Sequence, residues 1–467
     1  MLAPHAGRSG VRLLPDGREA FTSRLHSLRL AQKTLDVQTY IWRDDATGRF
    51  IAHELILAAD RGVHIRVLLD DMDARPRDLA LEALDAHERI EVRIFNPFRT
   101  RSGALRTLAE LSRRGRRLNH RMHNKTWIAD RALAISGGRN LGNEYFAAAE
   151  DVNFIDLDVL MIGPAVEQQQ REFERYWDCE LSVPISQLRK YMRKKLPPDL
   201  LRSRLEHAAE RAASSEYARE LNARDGLSAL FDASFVWSSN VRVVADEPRK
   251  ALGQDGNASR VLDSMGAEIR AASREVLLIS PYFVPGVGGT AALRSLARQG
   301  ANVEVLTNSL AATDVAIVHS GYAKYRRPLL EGGVRLFEMK AAIAVDDQHR
   351  RLRLGSSRAS LHTKAAVIDA ERVFVGSFNI DPRSAELNCE MGVWVTSRRL
   401  ADELIRSFRL GTSGAHSYTL RLNTDGDVEW LEETQGGQIV HRRDPDASWS
   451  RRALVRALEL LPVESLL

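Results

Sequence analysis

The sequence predicts an α/β protein made of two similar α/β/α sandwich domains, related by a pseudo-twofold axis and sharing one site at their interface. Each domain is expected to hold a mixed, largely parallel sheet. The first observation is an eight-residue pattern, His-x-Lys-x-x-x-x-Asp, which occupies residues 123–130 and again residues 362–369. The second is the order strand, helix, glycine, strand before each copy, which is typical of a βαβ unit. A pattern repeated in fixed register indicates two halves of common design.

In the first half, residues 35–42 predict a strand and the stretch around 50–61 predicts a helix. Gly62 then ends the helix, and residues 64–69 predict a second strand. A further short strand is expected at residues 91–95, before the first motif. Parallel strands joined through a helix follow from this order.

The second half repeats the series. Residues 276–283 predict a strand, 290–299 a helix that ends before Gly300, and 302–306 a second strand. A short strand at residues 334–337 again precedes the motif. We therefore expect the same βαβ unit in both halves.

The remaining chain sets the expected boundaries. Residues 1–184 form the N-terminal domain, 185–235 a helical connector rich in Glu, Arg, Leu and Ala, and 236–412 the C-terminal domain. Residues 413–467 are expected to form a hairpin around the turn sequence Thr-Asp-Gly-Asp, then an amphipathic helix. That helix either docks on the protein or lies on a membrane surface.

Composition and charge restrict the class of protein. Two cysteines among 467 residues cannot form a disulfide framework, and no apolar stretch approaches the ~20 residues that span a bilayer. The start of the chain lacks the apolar segment of a secretory signal. Eight arginines lie between residues 99 and 121, and a second basic cluster lies at 189–195. Such patches suit an anionic membrane surface or nucleic acid. We expect a cytoplasmic protein, peripheral on the inner membrane.

The motif brings chemistry to one face of a strand. Positions i and i+2 of a strand share a face, so His123 points with Lys125, and His362 with Lys364. The chain contains nine lysines beside 58 arginines, and two of the nine occupy this motif position. Each half-site thus offers an imidazole and an ammonium, and two facing half-sites would surround one phosphate.

Other motif positions complete the expected site. A glycine seven residues after each motif aspartate permits a close turn that brings Asn140 and Asn379 to the same pocket. Asp130 and Asp369 belong to the motif and are counted with its catalytic set. However, their place at the end of an apolar strand favours a role in bracing a loop. Ser377 is a candidate phosphate contact in the second half only, because the first half has glycine there.

An acidic residue is needed behind each histidine to fix its tautomer. Glu390, eleven residues after the second motif asparagine, is the candidate in the second half, and Asp156 is the candidate in the first.

These groups support covalent catalysis at phosphorus. One neutral histidine attacks while the other, protonated, gives its proton to the leaving alcohol, and the lysines and asparagines hold the non-bridging oxygens. Such a pair should titrate together and give a bell-shaped pH profile. A metal site is not expected, since a lysine between the histidine and the aspartate repels a cation. No cofactor is required.

The duplicated motif, with Asn140 and Asn379, resembles the phospholipase D superfamily over nearly the whole chain. Within it, residues 137–146, 376–384 and 387–390 look most like the bacterial cardiolipin synthases, especially the cardiolipin synthase C branch. The resemblance implies a phosphatidyltransferase that makes cardiolipin from phosphatidylglycerol or a related phospholipid. It also implies that the two motif histidines are the nucleophile and the acid/base, in an order that the sequence leaves open.

Three alternatives stand beside this hypothesis. The superfamily includes phospholipase D-type hydrolases and metal-independent nucleases, which would use the same core, and a catalytically inactive lipid-binding scaffold is the non-enzymatic alternative. The cardiolipin synthase-like segments favour a lipid substrate, so no nucleic-acid partner is expected. Oligomeric state is left open.

Overall fold

A computed structural model describes residues 5–74, 78–98, 115, 117–188, 196–213, 235–253, 259–341 and 359–459. The chain folds around two large mixed sheets, one in each half.

The first sheet has nine strands, which contain mostly apolar, buried residues. The strands of the first half are β1 (Ser9–Leu14), β2 (Thr34–Thr39), β3 (His64–Asp70), β4 (Ile90–Phe95), β5 (Thr126–Ala129), β6 (Leu133–Gly137), β7 (Asn153–Ile155), β8 (Asp158–Ile162), β9 (Ser182–Pro184) and β10 (Val236–Ser238). Their order across the sheet is β10-β1-β8-β6-β5-β2-β3-β4-β9. Strand β7 stands outside this sheet.

The second sheet has ten strands. The strands of the second half are β11 (Val241–Ala245), β12 (Glu275–Ile279), β13 (Asn302–Asn308), β14 (Arg335–Met339), β15 (Ala359–Leu361), β16 (Ala365–Ile368), β17 (Arg372–Gly376), β18 (Met391–Thr396), β19 (Ser417–Leu422), β20 (Val428–Thr434) and β21 (Gly437–His441). The order is β11-β18-β17-β16-β12-β13-β14-β19-β20-β21. Its first seven positions repeat the order β1-β8-β6-β5-β2-β3-β4 of the first sheet, which confirms two halves of common design.

Helices pack on these sheets, with their apolar residues turned inward. They are α1 (Gly17–Leu30), α2 (Ala46–Asp60), α3 (Asp71–Ala74), α4 (Asp78–Asp85), α5 (Pro164–Trp177), α6 (Ile185–Leu188), α7 (Pro198–Ala213), α8 (Arg260–Arg270), α9 (Gly286–Arg298), α10 (Ala316–Glu331), α11 (Arg398–Gly411) and α12 (Trp449–Glu459). Helices α2 and α9 are the crossovers of the predicted βαβ units. One cluster of buried apolar residues includes side chains of both halves, so the two sheets share part of their core.

The prediction that the sheets are largely parallel is wrong. Only β2-β3-β4 and β12-β13-β14 are mutually parallel, and the other neighbours within each sheet are antiparallel. Three-residue turns join β5 to β6 and β16 to β17, and such hairpins require antiparallel pairing. The βαβ units therefore supply three strands per sheet, while hairpins and long connections supply the rest.

The chain between and after the two halves differs from the expected division. Strand β10 pairs with β1, so residues 236–238 belong to the first sheet. The C-terminal hairpin gains a third strand and extends the second sheet through pairing of β19 with β14. Helix α12 packs against α10 and buries Val455, so this helix docks on the protein.

Both basic clusters predicted to meet a polyanion fall largely outside the described residues, which leave out 99–114, 116 and 189–195. Arg121, the last arginine of the first cluster, is fully buried and forms an ion pair with Asp70 at 3.3 Å. It therefore holds the fold together and is not available to a polyanion. Within the described part of the chain, no helix combines the length and the apolar character needed to cross a bilayer.

Candidate active site

The chain segment that leads into His123 pairs with the other half of the molecule. The His123 N–H donates to the Cys389 carbonyl at 2.8 Å, and the Cys389 N–H donates to the Arg121 carbonyl at 2.8 Å. This short parallel bridge places His123 beside the residue that follows Cys389.

The segment that leads into His362 pairs in the same way with backbone of the first half. Strand β15, which leads into His362, pairs in parallel with β7 of the first half, and the His362 N–H donates to the Ile155 carbonyl at 2.8 Å. Each histidine is therefore fixed next to a segment of the opposite half.

This pairing between the two halves brings each imidazole into contact with a buried carboxylate. Nδ1 of His123 lies 2.9 Å from Oε2 of Glu390, and Nδ1 of His362 lies 2.6 Å from Oδ2 of Asp156. The sequence identified both acids but expected each one behind the histidine of its own half, and that pairing is wrong. Sequence neighbours could not show the swap, because the swap results from the contact between β7 and β15.

The two acids occupy equivalent positions. The Gly138 N–H donates to the Leu157 carbonyl, and the Ser377 N–H donates to the Met391 carbonyl, so Asp156 and Glu390 each precede the paired residue. A β-carbon added to Gly138 would lie only 2.1 Å from the Asp156 carboxylate. Glycine is therefore required where the shorter acid reaches its histidine.

Ser377 does not present its hydroxyl as a phosphate contact. Its Oγ donates to Oε2 of Glu390 at 2.5 Å and accepts from the Met391 N–H at 3.0 Å. The prediction of a phosphate-binding serine is thus replaced by a serine that holds the carboxylate behind His123.

Both motif lysines are buried beside their histidines. Lys125 Nζ donates to the His123 carbonyl at 2.6 Å, and Lys364 Nζ donates to the His362 carbonyl at 2.5 Å. Lys364 Nζ also lies 3.0 Å from Nδ1 of His362. Burial lowers the pKa of Lys125 to about 7 and that of Lys364 to about 8, although nearby carboxylates oppose the shift.

His123 and His362 are buried, with 8% and 7% of their surface exposed. Burial lowers the pKa of His123 to about 4, with Glu390 opposing and Lys125 adding to the shift. Burial and the Lys364 charge also lower the pKa of His362. Burial alone would raise the pKa of Glu390 and Asp156, but the adjacent histidines outweigh it and lower both values. The site thus holds neutral imidazoles backed by ionised carboxylates.

The two motif asparagines have different surroundings. Asn140 accepts from the Ile41 N–H at 3.2 Å and donates to the Tyr145 hydroxyl at 2.8 Å. Asn379 is buried, and its Oδ1 has no hydrogen-bond partner among the described residues. An unsatisfied buried amide oxygen is unfavourable in the free protein, and because it only accepts, it would be paired by a hydroxyl of a ligand and not by a phosphate oxygen.

Aromatic rings of the first half enclose both histidines. The Tyr40 ring meets His123 edge-on at 5.1 Å between centroids. Tyr145 meets His362 edge-on at 5.3 Å, and Phe154 stacks on His362 at 5.0 Å. These rings remove water from around the imidazoles, which is the cause of their lowered pKa values.

Two positioning residues were missed from the sequence. Asp70 and Asn308 are the last residues of the equivalent strands β3 and β13. Asp70 accepts from the Met122 N–H at 2.9 Å, and Asn308 accepts from the Leu361 N–H at 3.0 Å, so each holds the residue just before a motif histidine. The sequence could have indicated both residues, because each lies at the carboxyl end of a predicted parallel strand.

The motif aspartates lie in the turns after β5 and β16. Asp130 and Asp369 have φ values of 51° and 55°, as does the residue after each within a few degrees, which fits a hairpin turn. Each aspartate accepts three backbone N–H groups, from residues 32–34 and 273–275 respectively. Both carboxylates are therefore engaged with backbone, and we infer that they brace these turns and do not take part in the chemistry.

One group of side chains in the described residues has the composition of a cation site: His319, Glu338 and Asp444. The guanidinium of Arg326 hydrogen-bonds to all three, at 2.6–2.8 Å. A positive charge already occupies the centre of this cluster, so it does not fit a metal ion.

Two facing His-Lys-Asn sets, each backed by an acid from the other half, define a phospholipase D-type site on a duplicated α/β fold. A family profile described as "Cardiolipin synthase, PLD-like domain" matches residues 25–177 and 265–410. The chain belongs to this family, and by that membership it is a phosphatidyltransferase of the phospholipase D superfamily.

Individual relatives support the same family assignment. Cardiolipin synthase C of Escherichia coli (strain K12) is 39% identical, over 100% of this chain and 98% of its own length. Cardiolipin synthase B of the same strain is 26% identical, over 84% of this chain and 78% of its own. The crystal structure of phosphatidylserine synthase from Haemophilus influenzae Rd KW20 superposes with a TM-score of 0.63, at 12% identity, over 98% of this chain and 94% of that one. The last comparison supports the fold alone.

We predict that Glu390→Gln changes the histidine of the opposite half. Loss of the carboxylate charge lowers the pKa of His123 further and destabilises its protonated form, so kcat should fall by about 10²–10⁴. Ring-carbon NMR of histidine-labelled protein should show His123 titrating at lower pH and His362 nearly unchanged. Asp156→Asn should give the converse, and a shift of the wrong histidine would contradict the crossed pairing.

We predict that anion binding takes up protons. A bound anion favours the charged lysines, whose pKa values lie near 7 and 8 in the free protein, so sulfate affinity should fall between about pH 6 and about pH 9. The fall should approach about tenfold per pH unit for each proton taken up. Calorimetry in buffers of different ionisation enthalpy measures this uptake. Replacing both lysines by arginine, which stays charged, should flatten the dependence.

We predict that Asp369→Ala acts on stability. It removes a carboxylate that accepts three backbone N–H groups, so the free energy of unfolding in urea should fall by about 1–3 kcal/mol. The kcat of the folded fraction should stay within a few fold of wild type. A loss of kcat comparable to that of a histidine variant, at unchanged stability, would return the aspartate to the catalytic set.

Proposed function

We propose that this protein makes cardiolipin by moving a phosphatidyl group from phosphatidylglycerol, or a related phospholipid, to the glycerol hydroxyl of a second lipid through a phosphohistidine intermediate. The observation that carries the proposal is the pair of crossed imidazole–carboxylate contacts, which sets two histidines and two lysines into one buried site. Its full-length similarity to cardiolipin synthase C supports the lipid product.

The contacts favour a particular tautomer. With Nδ1–H of each imidazole donated to a carboxylate, Nε2 of each ring is left for chemistry. One Nε2 attacks phosphorus, and the phosphorus–oxygen bond to the leaving glycerol breaks as the other imidazolium gives that oxygen its proton. The incoming hydroxyl then attacks phosphorus, its proton passes to the second histidine, and the nitrogen–phosphorus bond breaks.

The protonation of the site is expected to change when substrate binds. In the free protein, two ionised acids face two lysines whose charge is weakened by burial. An incoming phosphate diester adds a negative charge, which favours protonation of the lysines and of one imidazole. The same charges then stabilise the five-coordinate transition state, where negative charge builds on the non-bridging oxygens.

The test compares wild type with His123→Ala and His362→Ala on phosphatidylglycerol vesicles containing EDTA. We expect cardiolipin and glycerol from wild type, and a loss of at least about 10³-fold in either variant. His64→Ala, an exposed histidine at the start of β3, is the matched control and should keep full activity. Mass spectrometry after an alkaline quench, which preserves phosphohistidine, should find the phosphatidyl group on one of the two motif peptides and so fix their order.

Each alternative predicts a different result in the same assay. Phosphatidic acid without cardiolipin would identify a hydrolase, and no turnover with retained lipid binding would identify a scaffold. Cleavage of single-stranded DNA without lipid turnover would overturn the lipid assignment. Activity that strictly requires added metal would overturn the mechanism.

A further inference from the structure

An apolar cavity of about 250 Å³ lies in the first half, between the segment that follows β2, the end of β3 and the helices α2, α4 and α7. Its wall is formed mainly by leucines, among them Leu69, Leu81, Leu84, Leu201 and Leu205. All five are buried against protein on their other sides. The volume is close to the lower end of ordinary ligand sites, which suits part of a hydrocarbon chain.

This cavity adjoins the candidate active site. Tyr40 lines the cavity, and its ring lies 5.1 Å from the His123 ring between centroids and 5.6 Å from Lys125 Nζ. Asp70 also lines the cavity and holds the backbone N–H of Met122, the residue before His123. One aromatic ring therefore separates the apolar space from the motif histidine and lysine.

The cavity has a charged edge as well as an apolar wall. Three arginines line it: Arg43, which pairs with Glu144, Arg49, which pairs with Asp44, and the exposed Arg204. Arg43 and Arg49 are already paired with acids, and Asp44 and Asp70 also line the cavity, so its edge is mixed in charge and its apolar wall is the feature that matches a hydrocarbon chain.

We propose that this cavity takes an acyl chain of the phospholipid whose phosphate lies between the two motif histidines. The inference rests on the proposed function and names the part of the substrate that the first half selects. Tyr40 would then contact the glycerol backbone between the phosphate and the chain. Recognition of the donor lipid would come mainly from the first half, and the hydroxyl acceptor would enter from the other side of the site.

The experiment uses phosphatidylglycerols of increasing chain length, from dibutanoyl to dioctanoyl, each assayed below its micelle concentration. If a chain occupies the cavity, kcat/KM for wild type should rise steadily with chain length, since each added methylene is removed from water. Ala52→Phe and Ala80→Phe both place a ring in the cavity and should remove most of this rise. They should leave the dibutanoyl lipid within about threefold of wild type, because the histidines and lysines are untouched.

Ala86→Phe, an exposed alanine just after α4 that does not line the cavity, is the matched control and should keep the wild-type dependence. A photoreactive diazirine at the end of the acyl chain gives a second measurement. It should label peptides of α4 or α7 in wild type and lose this labelling in both cavity variants.

The outcomes separate the two proposals. Turnover of every lipid with no dependence on chain length, or labelling confined to the second half, would overturn the acyl-chain site and leave the proposed function standing. Absence of turnover for all chain lengths in wild type would overturn the proposed function itself.

Discussion

The two crossed imidazole–carboxylate hydrogen bonds are the constraint on which the rest of the site depends. Glu390 reaches His123 and Asp156 reaches His362 only because each histidine segment pairs with backbone of the opposite half. Removing these groups from water is unfavourable unless every charge finds a partner. The pairing between the halves provides those partners, and it also holds the two halves in one arrangement. Neither half contains a complete histidine site, so the catalytic unit is the pair.

The buried lysines extend this argument from structure to reactivity. Full burial lowers the pKa of Lys125 and Lys364 to about 7 and about 8, so the positive charge of the free site is reduced near neutral pH. A bound phosphate diester adds a negative charge that favours protonation of both lysines and of one imidazole, so the charges of the site are balanced only when substrate and these protons are bound. Differential stabilisation of that kind favours the charged transition state over the empty site. The hydrophobic rings around both imidazoles strengthen it by excluding water.

Departures from symmetry give the halves different tasks. The second half has a glutamate held by Ser377, where the first has an aspartate packed on Gly138. Asn140 is committed to Tyr145, while the buried Oδ1 of Asn379 is left unsatisfied. Aromatic contacts to both histidines come from the first half, which also contains the apolar cavity behind Tyr40. A duplicated fold can thus treat the two lipids of a transfer reaction differently.

Sequence by itself determined the duplication, the βαβ units and the identity of the histidines, lysines, asparagines and acids, because these depend on local periodicity and fixed spacing. It also predicted a bracing role for Asp130 and Asp369 from their position at a strand end, which is a local property, although as motif residues they were counted with the catalytic set. Only the tertiary structure decided that the acids are exchanged, that Ser377 serves Glu390, and that Asp70 and Asn308 hold the histidine segments. Each of these is a contact between residues far apart in the chain or between halves. Local pattern carries no information about such contacts, because they are fixed by how the two sheets pack together.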